Sequence, residues 1–381
     1  MKIRRQFESF DFLLVILILA VTAAGVMVIG SATRINLGYD RDSFYTQIIW
    51  ASTGFALMLA AAFVDYNFIC KFYIPVYVVN IFLLVLVLIL ARTTRGVDRW
   101  LKIGSFGIQP SEFAKIFLII FLAKFIDKKK ERINNILVFL VSIALITLPA
   151  ALIFIQPSLS ACAVVAMIGA FMMYAGGLSY KKILITLVVV LPAIAFIYFD
   201  LKSETPLIVD KIFLGKYYYQ FERFMLSINP EFDPEKYRQT QNSLHAIGSG
   251  MLTGKGLFNG PVNQAGYIYS AYSDFVLAVV GEEFGFVGCA ALLLLMLLII
   301  AKCMLIAGGA PDMCGRLIAS GVAFMLFIQT FVNVGVATDL MPNTGMPFPF
   351  ISYGGSSMWI NMVAVGLVLN VKMSKSKSIF E

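Results

Sequence analysis

The stretch "AYSDFVLAVVGEEFG" at 271–285 sets three carboxylates, Asp274, Glu282 and Glu283, directly ahead of the apolar tract "FVGCAALLLLMLLIIA". An ionised side chain within hydrocarbon costs from about 3 to more than 10 kcal/mol, so acids at that point need a reason. If residues 274–306 were one helix they would measure about 50 Å against a bilayer core of about 30 Å. The helix therefore projects beyond the membrane or breaks near Gly281 or Gly285, and Asp274 falls toward the outer mouth. The alternative is structural: Ser273 or Asp274 caps the helix and the two glutamates are interfacial charges.

A second group stands in "QPSEFAK". Gln109, Glu112 and Lys115 open an apolar segment, with Pro110 in the first helical turn, where proline is tolerated. Glu112 and Lys115, at i and i+3, share a face and can pair. Burying such a pair is an inefficient way to gain stability, so an internal polar cavity is the stronger reading. "GVDRW" adds Arg99 and Trp100 on the same side, the tryptophan also suiting a plain interfacial belt. The only histidine, His245, cannot build a metal site alone and has no Ser or Cys partner. A carboxylate must then be the base of any reaction here, with partly buried Asp274 the candidate. The glycines of "GSGMLTGKG" with Lys255 could cradle phosphate, but Walker spacing is absent. Without a P-loop or Rossmann signature, no nucleotide cofactor is expected.

The elements that must hold these groups are membrane spans. The 381 residues are 60% hydrophobic and 14% charged, with mean hydropathy +0.85; a soluble protein carries about 25% charged residues. Runs of roughly 20 apolar residues fall near 11–32, 45–64, 73–91, 110–126, 136–155, 160–178, 183–200, 284–306, 317–340 and 356–371, so the fold class is an all-α polytopic membrane protein of about ten helices, one integral domain over 1–381. The first span is read as retained, having no small-residue cleavage site. The net charge of +8 is dispersed in short clusters, such as Lys128–Lys130 with Arg132, Lys181–Lys182 and Lys372–Lys377, on alternate loops. That is the positive-inside pattern; it sets both termini in the cytoplasm and argues against nucleic acid. Five cysteines without paired spacing give neither a disulfide framework nor a metal site. Three segments face outward: 92–112, the long stretch 200–283, whose 201–272 portion reads as an extracytoplasmic loop with short amphipathic helices, and "MPNTGMPFPFISYGGSS" at 341–357. Irregular backbone of the last kind must line a cavity or be covered by protein.

Together, "GVDRWLKIGSFGIQPSEFAK", "SLHAIGSGMLTGKGL", "YSDFVLAVVGEEFG" and "FVNVGVATDLMPNTGMPFPFISYGGSS", in this order, resemble the SEDS family (shape, elongation, division and sporulation proteins), which includes RodA, FtsW and SpoVE. The resemblance implies a peptidoglycan glycosyltransferase polymerising lipid II on the outer face of the bacterial cytoplasmic membrane, beside a class B penicillin-binding protein. The reaction is an inverting displacement of polyprenyl pyrophosphate, without a covalent nucleophile. It implies Asp274 as the essential acid and Glu112 and Lys115 as cavity residues. Arg99 and Lys115 suit the departing diphosphate, a task that Mg²⁺ or another divalent cation could share. Gln109, Trp100, Lys255 and the "SYGGSS" residues Ser352, Tyr353, Gly354 and Ser356 fall at the same mouth. Many members carry "QPDLG" where this chain reads "QPSLS", so Ser158 replaces an acid. "PNTGMP" stands closer to the elongation-type (RodA) form than to the division-type (FtsW) form. The rival readings are a lipid II flippase, which should carry midplane charges on broken helices in symmetric halves, and a non-catalytic scaffold for the penicillin-binding protein.

Overall fold

The computed structural model describes residues 10–34, 42–90, 99–103, 106–186 and 229–378, with isolated positions between 188 and 227. The chain is a helical bundle: α1 (Phe12–Ala32), α2 (Asp42–Phe63), the short α3 (Tyr66–Lys71), α4 (Tyr73–Leu90), α5 (Pro110–Lys129), α6 (Ile136–Ile155), α7 (Leu159–Ala175), α8 (Pro234–Ser249), the single turn α9 (Pro261–Gln264), α10 (Val276–Gly308), α11 (Met313–Ala337) and α12 (Gly355–Ser378). Among the described residues, α1, α2, α4, α6, α10, α11 and α12 are long and apolar enough to cross a membrane. α5 matches them in length but carries six charges, and α7 has 17 residues. Residues 180–186 begin a further helix; the rest of the span expected over 183–200 lies mainly outside the described residues. The result is a multi-pass membrane protein of about ten spans.

Burial separates centre from rim. The apolar windows of α11 and α12 are 78% and 83% buried, those of α2 and α4 only 22%. In lipid there is little hydrophobic gain between helices, so close backbone approach and polar ties matter more. α2 meets α12 at Gly366, where a Cβ would lie 2.4 Å from the Met58 carbonyl oxygen. Asn370 on α12 accepts from the Tyr66 amide at 2.8 Å and donates to the Ala62 carbonyl at 2.7 Å. Asp11 caps α1 through the Leu14 amide (3.1 Å) and pairs with Lys372 (2.7 Å) and Lys302 (3.0 Å), tying both ends of the chain to one end of the bundle. Cys70 and Cys314, distant in sequence, are free thiols with sulfurs 3.1 Å apart.

The opposite end is made of loops. A hairpin, β1 (Leu101–Ile103) and β2 (Phe106–Ile108), pairs Leu101 with Ile108 and leads into α5. α10 breaks at Gly285 (φ 65°, ψ −162°), a backbone state that glycine adopts without the Cβ penalty. The segment after α8 docks into that break. Lys255 and Gly256 amides donate to the Glu282 and Glu283 carbonyls (3.0 and 2.9 Å), while Phe286 and Val287 amides donate to Met251 and Leu252 (2.9 and 3.1 Å). Gly250 and Gly254 permit the approach: a Cβ on either would sit within 2.2 Å of a carbonyl oxygen of α10. The glycines of "GSGMLTGKG" thus admit a loop to a broken helix, and the amides of Lys255 and Gly256 are taken by that helix rather than open to a phosphate.

Most expected span ends fall within four residues of the observed helices; the start of α10 and the end of α12 do not. α10 begins at Val276, not near 284, because its first turns are buried against protein and therefore carry Glu282 and Glu283. α3 and the hairpin, too short for a hydropathy window, were not anticipated.

Candidate active site

Asp274 lies immediately before α10, whose N-cap is Phe275, without a side-chain capping bond. Asp274 is therefore not the cap, nor is Ser273. Its backbone is pinned: the Asn333 amide group donates to the Asp274 carbonyl at 3.0 Å and to the Met346 carbonyl at 2.7 Å. Ser352 Oγ donates to the Ser273 carbonyl (2.5 Å) and accepts from the Phe348 amide (2.8 Å), and the Tyr353 amide donates to the Tyr272 carbonyl (2.8 Å). Trp50, Tyr353 and Tyr272 pack ring on ring beside it. The irregular stretch 341–354 is thus held against protein, mostly buried from Met346 to Ser352, as irregular backbone in a membrane protein must be; 355–357 already belong to α12.

The Asp274 carboxyl faces cations. Arg223 Nη1 donates to the Asn343 carbonyl at 3.0 Å. Gly345 (φ 70°) stands between the two groups; a Cβ there would be 3.5 Å from both Arg223 Nη1 and Asp274 Oδ2. Burial pushes the Asp274 carboxyl above its ordinary pKa, opposed by Arg223, a hydrogen bond from Ser273, and Arg99. Arg99 in turn donates to the Pro157 carbonyl, so it bridges the "QPSLS" corner to this mouth. There Ser158, standing where an acid is common, is buried, and Ser160 Oγ donates to Thr344 O at 2.9 Å.

Glu112 and Lys115 form a buried pair at 2.7 Å, their side chains 4% and 0% exposed. Gln109 precedes them as the cap of α5, its amide donating to Ser356 Oγ (3.2 Å), which donates onward to Gly107 O (3.3 Å). Trp100 is half-exposed and lies over Gly107. Ser352 and Ser356 therefore serve as ties that close the mouth, each giving its hydroxyl hydrogen to a carbonyl. Tyr353 and Gly354 sit on the same rim, half-buried. Lys255 is elsewhere: it bonds Ser249 Oγ (2.8 Å) and lies 3.6 Å from Glu282. His245 is exposed on α8.

Glu282 and Glu283 are not interfacial charges; they are 0% and 1% exposed. Glu282 accepts from the Val262 and Asn263 amides (2.8 and 2.9 Å), capping α9, and Glu283 accepts from Ser31 and, at 3.4 Å, from Asn263. The sequence reading passed over Arg223, Asn333 and Asn343. Arg223 had a signal, a cation inside the aromatic run "YYYQFERFM", but that pattern equally describes a surface helix. Among the described residues no three His, Cys, Asp or Glu side chains converge. Asp274 shares its surroundings with two guanidinium groups, a donor set that does not fit a resident divalent cation.

Fold and site together define a multi-pass membrane protein whose polar, charged mouth opens at one end of the bundle. A family profile described as "Cell cycle protein", FtsW/RodA/SpoVE, matches residues 11–377, and the chain belongs to that family, the SEDS proteins. The "Probable peptidoglycan glycosyltransferase FtsW" of Trichlorobacter lovleyi is 32% identical over 97% of this chain and 95% of its own. The "Peptidoglycan glycosyltransferase MrdB" of Escherichia coli is also 32% identical, over 95% and 93%. Among solved structures, a chain from "Structural coordination of polymerization and crosslinking by a peptidoglycan synthase complex" superposes with TM-score 0.76 at 29% identity, covering 96% of this chain and 98% of that one. Thermus thermophilus RodA does so with TM-score 0.69 at 28% identity, over 96% and 97%.

Proposed function

We propose that this chain is a peptidoglycan glycosyltransferase that polymerises lipid II at the outer face of the bacterial cytoplasmic membrane, with both termini inside and a class B penicillin-binding protein as partner. The observation that carries the reading is the Asp274 carboxyl, half-buried at the loop end, with Arg223 and Arg99 acting on it. Asp274 accepts the proton of the acceptor's 4-hydroxyl as that oxygen bonds to the anomeric carbon of the donor. The carbon–oxygen bond to the diphosphate breaks, and polyprenyl diphosphate leaves with its electron pair. A carboxyl whose pKa burial lifts above its ordinary value is a stronger base toward the acceptor's hydroxyl. Arg99 and the Lys115 side meet the growing negative charge of the leaving group. Since the donor set fits no resident metal, no step is routed through one. The relatives named FtsW and MrdB are equally identical to this chain, so the elongation-type assignment rests on the "PNTGMP" string alone.

The test is glycan synthesis from lipid II by purified chain and partner in detergent, where nothing can be flipped between two sides. Wild type should make strands and Asp274→Asn should not, with unchanged thermal stability. Equal product from both ends the catalytic role of Asp274. No product from a folded, partnered wild type leaves the mover or scaffold reading.

A further inference from the structure

Beside Arg223 is a cavity of about 180 Å³ whose lining includes Glu222, Arg223, Tyr237, Thr240, Asp339 and Asn343 and not Arg99. It is contiguous with the mouth, since Arg223 and Asn343 belong to both. Its chemistry differs from that of the Lys115 side. Two carboxylates, Glu222 and Asp339, line it with one guanidinium, an acidic balance that disfavours a diphosphate. Glu222 and Thr240 are buried, each 8% exposed, and the Asn343 side-chain oxygen is buried with no hydrogen-bond partner. A buried acceptor left unpaired is unfavourable, and a ligand donor would relieve that. Tyr237 donates its hydroxyl to Asp339, and this bond pushes the phenol up to about 12, so it remains protonated at neutral pH. The wall is therefore rich in acceptors and carries neutral hydroxyl and amide groups, with one cation beside the base. Hydroxyl- and amide-bearing ligands match such a wall, and the volume suits a single sugar ring more than a disaccharide-peptide.

We propose that this cavity is the acceptor subsite, holding the N-acetylhexosamine whose 4-hydroxyl is presented to Asp274. This rests on the polymerase reading above. The donor then lies on the opposite side of Asp274, with its diphosphate toward Arg99 and Lys115. Asp339 and Thr240 are specificity-determining residues for the acceptor, and they take no part in the proton transfer.

The assay separates the two substrates. A radiolabelled lipid II lacking the 4-hydroxyl can donate but not accept; unlabelled lipid II is the acceptor, and labelled tetrasaccharide is the product. For Asp339→Asn and Thr240→Val the acceptor KM should rise roughly tenfold, as loss of a ligand hydrogen bond predicts, while the donor KM changes by less than about twofold. Thr240→Ser should restore the wild-type acceptor KM, and unchanged melting temperatures confirm folding. The lipid-free, peptide-free disaccharide should inhibit wild type competitively against acceptor and lose potency in Asp339→Asn. Equal shifts in both KM values, no shift in either, or inhibition by the free stem peptide instead of the disaccharide overturns the subsite. If wild type forms no tetrasaccharide, it is the polymerase reading that fails.

Discussion

Asp274 and Glu282 stand eight residues apart around the start of α10, yet the structure treats them oppositely. Glu282 is the more deeply buried, but each of its carboxylate oxygens holds a backbone amide of α9, and Lys255 stands beside it. Asp274 is half-buried, has the backbone on either side of it fixed by Asn333 and Ser352, and has its carboxyl near the Arg223 guanidinium. Depth of burial is therefore a poor guide to chemistry here. A carboxyl can act on a substrate only if its oxygens are not already committed to the protein. Glu282 joins three segments, while the Asp274 carboxyl has two guanidinium groups acting on it.

Substitutions can break or sharpen that contrast. The largest effect should come from Asp274→Asn, which lowers the glycan synthesis rate by about 10²–10⁴, the usual contribution of a general base, and leaves the melting temperature unchanged. Lys115→Ala should come next, reducing activity and destabilising by about 3–5 kcal/mol, because it strands a buried Glu112 carboxylate. Lys115→Arg should retain more activity than Lys115→Ala; wild-type rates from both would remove Lys115 from the cavity. Glu282→Ala should behave in the reverse way to Asp274→Asn, losing about 1–3 kcal/mol of stability with the two α9 amides and keeping turnover per folded molecule. A dead but fully stable Glu282→Ala protein would erase the distinction between the two acids. Arg223→Gln should act through pH. Arg223 holds the Asp274 pKa down, so its removal raises that pKa further. The base is active when ionised, and activity falls as pH drops through the folded-state pKa. The acidic limb of the rate profile should therefore move to higher pH, and a limb that stays in place would show that Arg223 does not sense Asp274. Lys255→Ala should be the smallest, within about 1 kcal/mol and with unchanged rate, as expected of a partly exposed pair at 3.6 Å.

The spans were legible because the hydrocarbon core imposes a length and a hydropathy that a sequence window reads directly. The start of α10 was not, because Glu282 and Glu283 lower the local hydropathy while the protein buries them. The candidate site was legible in part. Glu112 and Lys115 are three residues apart on one helix, so their pairing follows from helical spacing. Excess length left a projecting helix or a break near Gly281 or Gly285 as alternatives, and it is Gly285 that carries the positive φ. Lys255 and the glycines around it shared a composition with a phosphate loop, and only the docking of that loop on α10 gave them their use.

By itself, the sequence determined that this is a multi-spanning membrane protein with acids and cations gathered on its connecting segments and helix ends. Both are properties of composition along the chain and need no partner residues to be read. The tertiary structure alone decided which acid the protein's own amides occupy. It brought Arg223, Asn343 and Asp274 together from three separate segments, closed Ser352 and Ser356 onto carbonyls, and set Cys70 against Cys314. Contacts between residues far apart in the chain follow from how helices pack against one another, and local spacing does not encode which face meets which.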